Sequence, residues 1–140
     1  MLPEASAGTN DDAANQVTPS GDCHDLREIL DRVGDKWSLQ IVGALSEGPR
    51  RFNAIRRSID GISQRMLTRT LRLLERDGLV ARSVFATVPP SVEYALTPLG
   101  ITLIDPVRAL AEWAINHRFD VGRARANYDA AAAAQGRSDV

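Results

Sequence analysis

The sequence predicts a mainly α fold with one small β-hairpin. Three observations carry this expectation. Apolar residues recur at spacings of three and four through most of residues 23 to 117, the period of helices with one buried side. Glycines, prolines and capping residues divide that stretch into segments of ordinary helix length. Between Leu79 and Leu96, two short strand-like runs flank Pro89-Pro90.

A first helix is expected from about Cys23 to Val33, with Leu26, Ile29, Leu30 and Val33 as its apolar stripe and Gly34 as its stop. Asp35 then caps a second helix, about Lys36 to Ser46, with Trp37, Ile41, Val42 and Leu45 inward; Gly48-Pro49 ends it. Arg51 or Phe52 opens a third helix to about Ile59, packed through Phe52, Ile55 and Ile59. Asp60-Gly61 makes a tight turn.

Ser63 caps the fourth helix, because its hydroxyl oxygen can accept the unpaired N–H groups of the first turn. Ile62 and Leu67 stand where a hydrophobic staple would fix the entry angle, while Met66 occupies the place of the Glu or Gln that completes a capping box. Gly78 fits the left-handed position that ends a helix. Strands at about Leu79 to Phe85 and Val92 to Leu96 follow. Pro89 and Pro90 lack the N–H groups of a strand ladder and therefore belong to the connecting tip. Thr97-Pro98 starts a fifth helix that runs to about His117, with Leu99, Leu103, Val107, Leu110 and Trp113 or Ala114 in its stripe. Pro106 predicts a kink or a break within it.

At 140 residues, of which 44% are hydrophobic, the chain is expected to form one domain with loose ends. The expected divisions are a disordered acidic and polar segment at 1–21, a domain at 22–118 and an alanine-rich tail at 119–140, either a frayed helix or disordered. No apolar run approaches the roughly 20 residues of a membrane span. The N-terminus has neither the basic start nor the apolar centre of a secretory signal, and a single cysteine makes no internal disulfide. These features point to a cytoplasmic protein.

The net charge of −1 conceals an asymmetry. Residues 1 to 31 carry seven acids against one base, Arg27, whereas residues 50 to 82 carry nine arginines against three acids, Asp60, Glu75 and Asp77. A basic centre in a nearly neutral chain is the electrostatic footprint of a polyanion site. Helices three and four, joined by a short glycine-containing turn, make a helix-turn-helix, and the two strands supply a wing.

On the fourth helix Met66, Leu67, Thr70, Leu71 and Leu74 project to one side, and Gln64, Arg65, Thr68, Arg69 and Arg72 to the other. Arginine can bond guanine O6 and N7 together, glutamine can bond adenine N6 and N7, and the threonine methyl can touch the thymine methyl. Gln64, Arg65, Thr68 and Arg69 lie in the half of the helix that reaches base edges and are the candidate base contacts. Ser38, Gln40, Arg50, Arg51, Asn53, Ser63, Arg72 and Arg82 are the candidate backbone contacts. The wing, Ala86 to Ser91, has no base of its own. The expected partner is double-stranded DNA, and a DNA-bound cytoplasmic protein would sit on the nucleoid.

At this point the residues resemble the HxlR family of bacterial winged helix-turn-helix regulators. The matching motifs are Cys23 before the first helix, Gly34-Asp35-Lys36-Trp37, Gly48-Pro49-Arg50-Arg51-Phe52, Gly61-Ile62-Ser63, Met66-Leu67-Thr68, Leu71-Arg72, Leu74-Glu75, Asp77-Gly78-Leu79-Val80, Pro89-Pro90, Val92-Glu93-Tyr94, Leu96-Thr97 and Leu99-Gly100. Their order and spacing over residues 23 to about 117 are specific, although each alone is weak. The resemblance implies a winged helix-turn-helix with a C-terminal dimerisation helix, forming a homodimer that binds inverted-repeat operators and regulates transcription, as a repressor here. It implies a dimer contact through Leu26, Ile29, Leu30, Leu103, Val107, Leu110 and Trp113. It also implies a sensor role for Cys23 toward oxidants or small electrophiles.

Cys23 lies at a helix start beside His24, where a thiolate is favoured, but Asp22 and Asp25 flank it with opposing charge. A small apolar residue under a dimer contact is the alternative role. A regulator without a cysteine switch would instead hold an apolar ligand between the dimer helix and the winged domain, with Trp37, Tyr94 and Trp113 as candidate lining or plain core. No cofactor is expected. Cys23, His24 and His117 are too few for a metal cluster, and no phosphate loop, paired-carboxylate site or Ser–His arrangement suggests an enzyme. The rival from another class is a winged-helix module whose arginines dock an acidic protein.

Overall fold

Three helix starts coincide with a residue whose side chain accepts a backbone hydrogen bond: Asp35, Ser63 and Thr97. The computed structural model describes residues 21–138. The expectation of disorder for the first 20 residues therefore lies outside the described residues. In order, the elements are α1 (Gly21–Val33), α2 (Lys36–Leu45), β1 (Arg50–Arg51), α3 (Phe52–Ser58), α4 (Gln64–Arg76), β2 (Val80–Phe85), β3 (Ser91–Leu96), α5 (Pro98–Ile101) and α6 (Ile104–Ser138).

Asp35 caps α2 through bonds from the N–H groups of Trp37 and Ser38, both 3.2 Å. Ser63 caps α4, its Oγ accepting from Met66 N at 3.0 Å. Gly61 enters the turn before α4 at φ 80° and Gly78 leaves α4 at φ 77°, values that a Cβ would strain.

The core is the inner side of the helix-turn-helix. Ile41 and Leu45 of α2, Ile55 of α3, and Leu67, Leu71 and Leu74 of α4 are fully buried, joined by Ile59, Ile62, Leu79 and Val80. Ile62 and Leu67, the staple pair, both lie in this cluster. Trp37 and Tyr94 pack against it as half-buried core residues rather than lining a ligand pocket.

The sheet has three strands rather than the two of a plain hairpin, in the order β1-β3-β2, all antiparallel. Arg50 pairs with Tyr94 and Arg51 with Glu93. The wing is thereby stitched to the entrance of α3 by backbone hydrogen bonds.

The fifth expected helix differs from the expectation at both its middle and its end. The chain breaks at 102–103 into the single turn of α5 and the 35-residue α6. Proline has no N–H, and its ring collides with the carbonyl four residues earlier. For Pro106 that carbonyl belongs to Thr102, so the break falls there. Pro106 then sits in the first turn of α6, where no intrahelical donor is required. α6 also passes His117 and continues to Ser138. The alanine-rich residues from Asp120 onward are its exposed last turns.

Gly100 is a point of backbone contact. A Cβ there would overlap the Leu79 carbonyl oxygen and come within 3.2 Å of Leu96 Cδ2. Gly100→Ala is expected to destabilise the fold by about 1–3 kcal/mol in chemical denaturation, the cost of overpacking, whereas a free helical site would gain from alanine.

Candidate nucleic-acid interface

The amphipathic split of α4 places the candidate base contacts. Leu67, Thr70, Leu71 and Leu74 are buried, and the Thr70 hydroxyl donates to the Met66 carbonyl at 2.8 Å. That anchoring leaves Gln64, Arg65, Arg69 and Arg72 exposed on the opposite side and Thr68 half-buried at its margin. The Thr68 hydroxyl donates to the Gln64 carbonyl at 2.9 Å, which leaves its oxygen free to accept. Among the described residues Arg65, Arg69 and Arg72 form no ion pair with their own chain. The first turn of α4 contains no acid. Positive charge beside the positive end of a helix dipole is unfavourable within the isolated chain, and an anionic partner relieves it. Thirteen residues give a rod of roughly 20 Å at 1.5 Å per residue, which fits a B-form major groove about 12 Å wide.

The candidate backbone contacts divide. Arg50, Arg51 and Asn53 come together with Arg57 around an open cleft of about 690 Å³, closed on its far side by Pro90, Ser91, Val92 and Glu93 of the wing. Arg57 was not singled out by sequence, because its place in this cleft depends on the pairing of β1 with β3. Arg50 also reaches Glu47, Nη2 to Oε2 3.5 Å. Arg51 and Asn53 are exposed. Gln40 is exposed and donates to the Lys36 carbonyl at 3.2 Å.

Ser38 is a correction. It is 1% exposed, so its side chain cannot touch a phosphate. It shares the buried side of α2 with Ile41 and Leu45, three and seven residues on. Ser63 spends its oxygen on the α4 cap, leaving the hydroxyl proton to donate. Arg82, on β2, lies 4.0 Å from Glu75 of α4, both half-exposed. Such a pair is worth little, and it leans Arg82 toward its own chain. The wing tip carries exposed Val88, and β2 the exposed Val84, where cations would be expected.

The candidate dimer and sensor residues lie away from α4. Leu26, Ile29, Leu30, Leu110 and Trp113 are each more than half exposed, while Leu103 and Val107 are half-buried. Trp113 stacks on His117 with ring centroids 4.8 Å apart. The Cys23 thiol is exposed. A cleft of about 760 Å³ does lie between α1 and the end of α4, but Ile29, Val33, Leu79, Leu99 and Leu103 supply its apolar lining, and none of Trp37, Tyr94 or Trp113 reaches it. Among the described residues no cluster of metal ligands exists, and no helix is long and apolar enough to cross a membrane.

Loss of the α4 cap gives a direct check of this geometry. Ser63→Ala should lower stability by about 1 kcal/mol and weaken duplex binding as the first turn of the helix frays, read by thermal unfolding and fluorescence anisotropy.

Residues 32–120 match the model of the HxlR-like helix-turn-helix family. The HTH-type transcriptional regulator YtfH of Escherichia coli (strain K12) is 47% identical over 87 residues, covering 62% of this chain and 69% of its own. Among solved structures, the transcriptional regulator ytfH of Salmonella typhimurium superposes with a TM-score of 0.67 at 42% identity, over 71% of this chain and 89% of its own. The redox regulator HypR in its reduced form gives 0.66 at 41% identity, over 71% and 98%. The chain thus belongs to the HxlR-like helix-turn-helix family of transcriptional regulators.

Proposed function

We propose that the protein is a sequence-specific regulator, acting as a repressor, that binds an inverted-repeat operator in double-stranded DNA as a homodimer. The observation that carries this reading is the arginine side of α4: exposed, free of ion pairs within the chain among the described residues, and held by a fully buried opposite side. Gln64, Arg65, Thr68 and Arg69 read base edges. Arg50, Arg51, Asn53 and Arg72 hold phosphates, and Arg57 joins them from the same cleft. The apolar residues of α1 and the first half of α6, exposed in the single chain, form the contact with the second copy.

Salt titration separates this reading from docking to an acidic protein. Log affinity for duplex should fall with log salt at about −0.9 per phosphate neutralised. Arg65→Ala and Arg69→Ala should each cost about 1–3 kcal/mol on the operator and narrow its advantage over random duplex. Arg51→Ala should weaken both duplexes alike. Binding that ignores duplex at low salt, or equal losses for Arg69→Ala on both sequences, would remove base reading from α4.

A second reading concerns regulation. Cys23 is an exposed thiol in the first turns of α1, on the element that carries Leu26 and Ile29, and the related HypR is a redox regulator. Addition of the Cys23 sulfur to a quinone would place a bulky group at the dimer contact and release the operator. Quinone treatment should abolish operator binding by the unmodified protein and leave Cys23→Ser unaffected; equal responses would exclude Cys23 as the sensor.

A further inference from the structure

Two helix C-termini meet at one ion pair, at the end of α4 opposite Gln64 and Arg65. Arg32 stands in the last turn of α1, and Asp77 is the C-cap of α4. Arg32 Nε donates to Asp77 Oδ2 at 2.8 Å, and the side chains are 26% and 35% exposed. Each helix end presents unpaired carbonyls and a partial negative charge. Asp77 adds a full negative charge at the end of α4, an unfavourable place for it alone. Arg32 offsets that charge and is itself well placed at the negative end of α1.

Among the described residues this is the one ion pair that joins α1 to another element. The others are His24–Glu28 within α1, Glu47–Arg50, Glu75–Arg82 and Asp105–Arg108. Closed apolar packing does not duplicate it. The pair borders the open cleft of about 760 Å³ between α1 and the α4–β2 junction, and Leu26, Ile29 and Leu30 of α1 are all more than half exposed. Val33, the short link to α2 and the Arg32–Asp77 pair tie α1 to the rest of the domain, and the pair is the tie that reaches the end of α4.

We propose that Arg32 and Asp77 are positioning residues for operator recognition. By holding the helix that joins two copies at a set angle to the helix that reads bases, they set the half-site spacing that the dimer accepts. The inference rests on the assignment of α1 to the dimer contact and of α4 to base reading. Neither residue serves as a base contact: Asp77 lies roughly 18 Å along α4 from Arg65 at 1.5 Å per residue. Their effect is on the placement of one reading helix relative to the other, and half-sites one helical turn apart tolerate little error in that placement.

The test uses the full chain and a set of inverted-repeat duplexes whose two half-sites are fixed in sequence and differ only in separation, with random duplex as reference. Arg32→Ala and Asp77→Asn should each reduce the preference for the best separation by roughly threefold to fivefold, the scale of a partly exposed ion pair, with affinity for random duplex unchanged. The double variant should be no worse than either single one. The charge-exchanged variant, Arg32→Asp with Asp77→Arg, should restore much of the preference. Because an ion pair bordering open solvent is screened, the difference from the unmodified protein should shrink at high salt. Thermal unfolding of each variant separates loss of fold from loss of placement. An unchanged spacing preference in both single variants, or equal weakening on every duplex, overturns the proposal. Failure of the unmodified protein to bind any duplex would instead overturn the DNA-binding reading beneath it.

Discussion

Burial of one side of α4 is the constraint on which the rest depends. Leu67, Leu71 and Leu74 pack against Ile41, Leu45 and Ile55 with almost no exposure. Their removal from water stabilises the domain at about 25 cal/mol per Å² of apolar surface, and it also fixes the rotation of the helix about its own axis. Residues that cannot enter this core are turned outward as a set. Four of them are cationic or amide-bearing: Gln64, Arg65, Arg69 and Arg72. The proposed interface is thus a by-product of core packing. Its side chains carry no structural duty and are free to desolvate against a partner.

The second organising contact is the pairing of β1 with β3. Two residues of strand are a small piece of structure, yet they join the wing to the entrance of α3 and draw Arg50, Arg51 and Arg57 around one cleft. Phosphate contacts fix register on a duplex while base contacts discriminate. The residues proposed for the two roles stand on elements held to each other through the sheet and the buried core, so neither set can move far without the other.

How much of this was legible in the chain varies with the range of the interaction involved. Boundaries with a local cause read correctly: the caps at Asp35, Ser63 and Thr97, the stops at Gly48-Pro49 and Gly78, and the prolines of the wing tip. β1 did not, because two residues carry no alternation and the strand exists only through a partner some forty residues later. Ser38 was misread by its polarity, although its spacing from Ile41 and Leu45 already put it on the buried side of α2. Pro106 was rightly seen as incompatible with an unbroken helix, but its clash acts four residues upstream, which moves the break to Thr102. Trp37 and Tyr94 are core, as aromatic residues next to buried stripes generally are. The last turns of α6 were legible only as either a frayed helix or disorder, because periodicity detects a buried stripe and these turns bury little.

Those last turns have a consequence of their own. A helical segment that buries little draws much of its order from intrinsic propensity, and the run Ala130 to Ala134 is well suited to that. Such order is lost gradually on warming, whereas the core melts as a unit. Far-ultraviolet dichroism of this protein is therefore expected to carry two signals. A sloping decline from the distal part of α6 underlies a sharp transition from the winged domain, and baseline slope would mislead anyone who reads it as loosening of the DNA-binding core.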